Sequence, residues 1–242
     1  IRTTPFTRRS RALLSDQLNT VRGLIRYIKK SVLLIRRLKL SYGMHEIAII
    51  ILAAGKSSRM RGQDKLTQRI KGVAQLRRIT MAACETCANV FVTLPDAAHP
   101  RASFLLGLNV QIIPVPDAHL GMGQSIASGV ACLARQNLSA AMIIPADMPE
   151  LTQMDLETIT KAYRNCPHNI MQATTLSGKH GHPVMFPLST FEELKALSGD
   201  QGAHKVIKGN KHLHQLVPLP YSHARTDLDT PEEWQDWISN QN

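Results

Sequence analysis

The stretch IAIIILAAGKSSRMRGQDK (Ile47–Lys65) decides the fold. Its opening apolar run shows no polar alternation, which is the pattern of a central parallel strand covered on both faces. The run ends in Ala53, Ala54 and Gly55. These have little or no side chain, so a ligand can approach the backbone closely and meet its N–H groups. Ser57 and Ser58 add hydroxyl donors, and Lys56, Arg59 and Lys65 add positive charge. Arginine grips phosphate in a bidentate fashion, whereas lysine acts as a point charge. Two familiar phosphate loops do not fit. A Walker A loop needs a glycine five residues before its Gly-Lys-Ser, and that position is Ile50. A dinucleotide fingerprint needs three spaced glycines, and only Gly55 is in place.

Outward from this loop, strands alternate with helices. Helical spacing covers Ala74 to Cys87, and NVFVTLP (89–95) reads as the next strand, stopped by Pro95. Residues 97–107 read as helical, NVQIIPV (109–115) as a strand, GQSIASGVACLAR (123–135) as a helix and AAMIIPA (140–146) as a strand. Thr152 is placed to cap a helix over 152–165. NIMQATT (169–175), HPVMF (182–186) and LHQLVPL (213–219) read as strands, with helices near 189–197 and 201–208. Thr230 and Pro231 open a last helix over 230–239. The alternation predicts an α/β domain over residues 44–242, a single Rossmann-like three-layer sandwich around a mainly parallel sheet. Ligands of such sheets sit beyond the carboxyl ends of the strands, so the loops after Ala53, Val115 and Ile144 carry the candidate site.

The chain has 242 residues and a formal charge of +11, which at first points to nucleic acid or anionic membrane. The charge is unevenly spread. Residues 1–43 hold 11 Lys+Arg and one acid, Asp16, a net of +10; residues 44–242 hold 18 Lys+Arg and 17 Asp+Glu, a net of +1. The body is nearly neutral, so no nucleic-acid partner is expected. The basic arm 1–43 is expected to be upstream sequence without a role, since Met44 directly precedes the first strand; membrane contact through its amphipathic spacing is the alternative. No apolar run reaches the roughly 18–20 residues of a membrane span, and no secretory signal is legible. The four cysteines are sparse and suit a reducing cytoplasm, the expected location. Cys84 and Cys87 form a CxxC pair inside the helix read over Ala74 to Cys87 and are expected to be structural.

Six segments in order carry a resemblance: LAAGKSSRM…DK, GMGQSIASG, PADMP, GHPVMF, GDQGAHKVI and DLDTPEEW. Together they resemble the MobA-like nucleotidyltransferases, which join a nucleoside triphosphate to a phosphorylated acceptor. The branch they resemble most is the molybdenum cofactor cytidylyltransferases, because LAAG suits that branch where the guanylyl branch usually has LAGG. The resemblance spans about residues 46–240. It implies that Leu52, Ala53, Ala54, Gly55 and Ser58 line the nucleotide with Gly121, Met122 and Ser125, that Arg59 and Lys65 bind the triphosphate, and that Gly181 and His182 belong to the acceptor side. It also implies Mg²⁺, held by Asp147 and Asp229, with Asp227 as the other candidate. CTP and a molybdopterin-type phosphate would be the substrates, and a molybdoenzyme or its chaperone a possible recipient. On composition alone Asp147 also fits a turn cap and Asp229 a helix N-terminus. The chain departs from the family pattern at Arg61 and Ala146, where glycine is usual, and at Ala74, where proline is usual. Arg61 raises the expectation of a loop one residue longer. The alternatives are a guanylyl-, sugar- or alditol-phosphate nucleotidyltransferase, or a non-catalytic binding module targeted by its arm.

Overall fold

The computed structural model describes residues 46–133, 136 and 138–240. The basic arm read from the sequence lies outside these residues. Nine strands are described: β1 (Ile47–Leu52), β2 (Arg69–Ile70), β3 (Val73–Ala74), β4 (Val90–Leu94), β5 (Gln111–Pro114), β6 (Ala140–Pro145), β7 (Ile170–Thr174), β8 (His180–Pro187) and β9 (His214–Pro218). The α-helices are α1 (Gln75–Thr86), α2 (Met122–Leu133), α3 (Gln153–Asn165), α4 (Phe191–Lys195), α5 (His204–Gly209) and α6 (Pro231–Ser239). Seven strands form one sheet in the order β5-β4-β1-β6-β8-β7-β9. It is mostly parallel, as the alternating pattern predicts; β8 alone runs antiparallel to its neighbours β6 and β7.

The unbroken apolar run of β1 is explained by burial on both faces. Ile47, Ile49 and Ile51 pack on one side with Leu76 and Ile79 of α1 and Leu156 and Ile159 of α3. Ala48 and Ile50 face the other side, with Ile126 and Val130 of α2 and Phe191 and Leu194 of α4. Each such isoleucine contributes up to about 1.5–3 kcal/mol of burial. Gly129 lets α2 approach closely, because a Cβ there would lie 2.9 Å from the Ile50 side chain. Parallel register places Leu52 opposite both Thr93 and Pro145. The ends of β1 and β6 therefore lie side by side, and so do the loop after Leu52 and the turn after Pro145.

The caps of α3 and α6 follow the sequence. Thr152 and Asp155 form a capping box on α3, and Thr230 and Glu233 form one on α6 with Pro231 in its first turn. The stretch expected to be helical over 97–107 is a tighter 3₁₀ segment, Pro100–Leu105. The β2–β3 hairpin turns on Lys71 and Gly72, both at positive φ. Ala74, in the usual proline's place, has φ −61°, the angle proline would impose. Cys84 and Cys87 lie in and just after α1, and burial pushes both thiols up, away from the reactive thiolate.

At Arg61 the chain makes a left-handed turn. Ser58–Met60 form one 3₁₀ turn, then Arg61 (φ 50°) and Gly62 (φ 86°) reverse the chain and the Gln63 N–H donates to the Met60 carbonyl at 3.0 Å. The Arg61 side chain reaches out to Glu232 at 2.7 Å, an exposed pair. Relief of left-handed strain and loss of such a pair are each worth about 1 kcal/mol or less. Arg61→Gly is therefore expected to change stability by less than about 1 kcal/mol and to leave activity intact. A loss of activity would show that Arg61 belongs to the site.

Candidate active site

Met60 points inward and is fully buried with Ile70, Leu228 and Trp234 in a small core of its own. Trp234 Nε1 donates to the Leu228 carbonyl at 3.1 Å. This packing ties the loop after β1 to the segment before α6, so that Arg59 and Asp229 meet at 2.7 Å. Asp229 is not the cap of α6. Thr230 and Glu233 do that work, and Glu233 also accepts from the Asp229 N–H at 2.7 Å. The Asp229 carboxylate is left to face the cleft.

Lys65 joins the two acids. Its Nζ donates to Asp229 Oδ1 at 2.7 Å and to Asp147 Oδ2. Burial alone would lower the lysine, but the two carboxylates outweigh it and hold it above its usual range, so it is charged at neutral pH. Asp147 is likewise no helix cap; it sits in the PADMP turn beyond β6. Two contacts from α1 hold that turn: the fully buried Gln75 Nε2 donates to the Ala146 carbonyl at 2.9 Å, and Arg78 Nη1 donates to the Pro149 carbonyl at 3.0 Å.

These residues line a cleft of about 430 Å³. Leu52, Ala54, Gly55 and Ser58 form part of its wall with Arg59, Lys65, Asp147 and Asp229, and Gly121, Met122 and Ser125 form the opposite part. Ala53 stands apart. It lies beneath the loop, with its N–H on Thr93 Oγ1 at 3.2 Å and its carbonyl on Arg101 at 2.5 Å. The glycines of the second wall have a packing reason: a Cβ at Gly121 or Gly123 would lie 2.5 or 2.8 Å from the Gly199 carbonyl oxygen.

A second cleft of about 450 Å³ adjoins the first and shares Met122, Pro145, Asp147 and Asp200 with it. Gly181 and His182 line it, as does Asp227. Burial, then the charges of Asp147 and Asp229, push the Asp227 carboxyl up. Gly181 is needed for close approach, since a Cβ would lie 1.8 Å from the Ala224 carbonyl oxygen that accepts from the His182 N–H at 2.8 Å. Gly181→Ala is expected to cost about 1–3 kcal/mol by overpacking, read as a fall in melting temperature. An unchanged melting temperature would contradict that contact.

His182 Nδ1 is buried without a hydrogen-bond partner. Burial lowers the imidazole below its usual 6.5, against a smaller opposing pull from Asp147, so it is neutral at pH 7. The unfolded chain takes up a proton near pH 6.5 while folded His182 resists it. This contribution to stability is whole above that pH and falls below it, by at most about 1.4 kcal/mol per pH unit. Urea unfolding at pH 7.5 and 5.5 should show a larger loss for the wild type than for His182→Gln. Equal losses would contradict the neutral, desolvated imidazole.

The donor set fits a divalent cation of the magnesium type. Asp147 and Asp229 already share one cation, the Lys65 ammonium, and Mg²⁺ is held by one or two carboxylates completed by phosphate oxygens and water. Among the described residues no three His, Cys, Asp or Glu are grouped to hold a metal by themselves. Arg101, Asp64 and Gln75 form part of this architecture and were not singled out in the sequence.

Comparison with known proteins agrees with this architecture. A family model described as the MobA-like NTP transferase domain matches residues 49–216. The chain belongs to that family. As a MobA-like protein it is a nucleotidyltransferase. The purine catabolism protein PucB of Bacillus subtilis (strain 168) is 27% identical over 195 residues, covering 76% of this chain and 92% of PucB. A probable molybdenum cofactor guanylyltransferase of Rhodopirellula baltica is 23% identical over 192 residues, covering 76% and 88%. Among solved structures, Rv0371c of Mycobacterium tuberculosis H37Rv superposes with a TM-score of 0.69 at 21% identity, covering 81% of this chain and 98% of that one. A complex of Rv0371c with manganese gives a TM-score of 0.66 at 20% identity, covering 80% and 98%. The described residues contain no helix long and apolar enough to cross a membrane.

Proposed function

We propose that this MobA-like protein transfers CMP from CTP to the terminal phosphate of a molybdopterin-type acceptor, releasing pyrophosphate. The observation that carries the reading is the meeting of two clefts at Asp147, one of the two acids they share, beside the cationic loop after β1. A two-substrate phosphoryl reaction needs such adjoining sites, because catalysis there is largely positioning and electrostatics. In the first cleft the triphosphate would lie on the backbone of Ala54–Lys56, with Arg59 and Lys65 on its phosphates. The acceptor would enter past Gly181 and His182.

An oxygen of the acceptor phosphate attacks the α-phosphorus of the nucleotide. One P–O bond forms, the α–β P–O bond breaks, and pyrophosphate leaves with its electrons. The nucleophile is already an anion, so no general base is required. Asp147 and Asp229 would hold Mg²⁺, which when bound neutralises phosphate charge. When the triphosphate arrives, Lys65 and Arg59 gain phosphate oxygens as partners alongside the carboxylates. Both cations then lie where charge develops on the leaving pyrophosphate.

The cytidylyl choice rests on Ala54, where the guanylyl branch usually has glycine. The guanylyltransferase relative favours GTP as the second reading. Pyrophosphate release with CTP, GTP or ATP, each with and without molybdopterin, separates the two. Release with CTP and pterin supports the first reading. Release with GTP and pterin moves the assignment to guanylyl transfer, and with sugar and alditol phosphates run as further acceptors, release only there removes the pterin.

A further inference from the structure

Arg101 is an arginine 3% exposed, set 36 residues beyond Lys65 in the 3₁₀ segment Pro100–Leu105. A guanidinium has five N–H donors in a fixed fork, and its burial demands that they find partners. Here the fork is spent on the loop after β1. Nη1 donates to the carbonyls of Ala53 at 2.5 Å and Gly55 at 2.8 Å. Nη2 donates to Ser57 Oγ at 3.2 Å and Asp64 Oδ1 at 2.8 Å, and Nε donates to Asp64 Oδ2 at 2.6 Å. Asp64 in turn accepts from the Leu66 N–H at 3.0 Å, which caps the short 3₁₀ turn that begins at Lys65. Burial would raise the Asp64 carboxyl, but Arg101 and the N–H and O–H donors outweigh it and hold it below the usual range.

A trans peptide points its C=O and the following N–H in opposite directions. With the carbonyls of Ala53 and Gly55 turned down onto Arg101, the N–H groups of Ala54 and Lys56 face away from it. Ala54, Gly55 and Lys56 are wall residues of the first cleft. We infer that the Arg101–Asp64 pair is a positioning unit: it gives the loop its anion-binding polarity by holding two carbonyls away from the cleft, and through the Asp64 cap it sets where Lys65 starts. Neither residue lines the cleft. The inference rests on the nucleotide reading of that cleft and adds the residues that make the loop competent.

The test uses Arg101→Lys, which keeps a charge but cannot bond two carbonyls and two carboxylate oxygens at once, and the near-isosteric Asp64→Asn. Both are compared with wild type by circular dichroism, by titration with CTP, GTP and inorganic pyrophosphate in magnesium buffer, and by separate KM values for triphosphate and acceptor. In the folded variants, triphosphate and pyrophosphate affinity should fall at least tenfold and the acceptor KM should move less than twofold. A wild type that binds triphosphate, with variants that lose only melting temperature and bind within twofold of it, overturns the positioning role alone. A wild type that binds no triphosphate and no pyrophosphate overturns the nucleotide reading and the positioning role together.

Discussion

Lys65→Ala is expected to lower turnover by about 10²–10³-fold while the protein stays folded, the scale of losing one preorganised charge-stabilising donor. The lysine joins Asp147 and Asp229 and lines the first cleft, so its loss removes positive charge where pyrophosphate would leave. The structural cost is contained. Removing one partner of a fully buried pair costs roughly 3–5 kcal/mol, but these carboxylates border an open cleft that water can enter. The same change carries a second signature. With the ammonium gone, Asp147 loses its partner and Asp229 keeps only the exposed Arg59, so Mn²⁺ titration without nucleotide should give at least tenfold tighter binding than in the wild type. Equal Mn²⁺ affinity would contradict the sharing of those acids between lysine and metal, independently of any activity measurement.

Asp147→Asn is the second large effect, expected at about 10²-fold or more in kcat, with a nearly isosteric side chain and little change in melting temperature. Asp147 lines both clefts beside Lys65, and its turn is held from α1 by Gln75 and Arg78 rather than by its own carboxylate. The fold therefore does not depend on its charge, whereas the proposed reaction does. A loss confined to kcat, with the triphosphate KM within a few-fold of wild type, is the pattern of an interaction made chiefly in the transition state. Near-normal rates in both variants would remove the site assignment.

The sequence made the frame of the site legible because its signals are local. An unbroken apolar strand, two capping threonines and a Gly-rich helix start each act within a few residues. They put β1, α2, α3 and α6 where the structure has them. Asp229 had two readings on sequence alone, as a helix N-terminal acid or as an active-site acid. In the structure Thr230 and Glu233 carry the cap, and the Asp229 carboxylate turns to Lys65 and Arg59, a placement compatible with the second reading. The antiparallel course of β8 was not legible, because direction is fixed by pairing with β6 and β7 and not by any property of HPVMF itself.

Arg101 and Gln75 escaped for a related reason. Their long-range partners lie 37–48 and 71 residues away in the chain, and half of these bonds go to backbone carbonyls, which leave no mark on residue identity. The turn at Lys71–Gly72 left a local signal, a glycine after a cation, but two-residue strands are too brief for periodicity to register. Ala53 was grouped with its small neighbours by composition, whereas strand alternation turns it toward Thr93 and the core.

The central claim, nucleotidyl transfer between the two clefts, is tested most directly by ³¹P NMR of a reaction holding the protein, Mg²⁺, CTP and molybdopterin. The account predicts inorganic pyrophosphate in step with a new phosphoanhydride that links the nucleotide α-phosphorus to the acceptor's own phosphate, with both signals lost in Asp147→Asn. Inorganic phosphate as the sole product, or an unchanged spectrum with CTP, GTP and ATP alike, would contradict it.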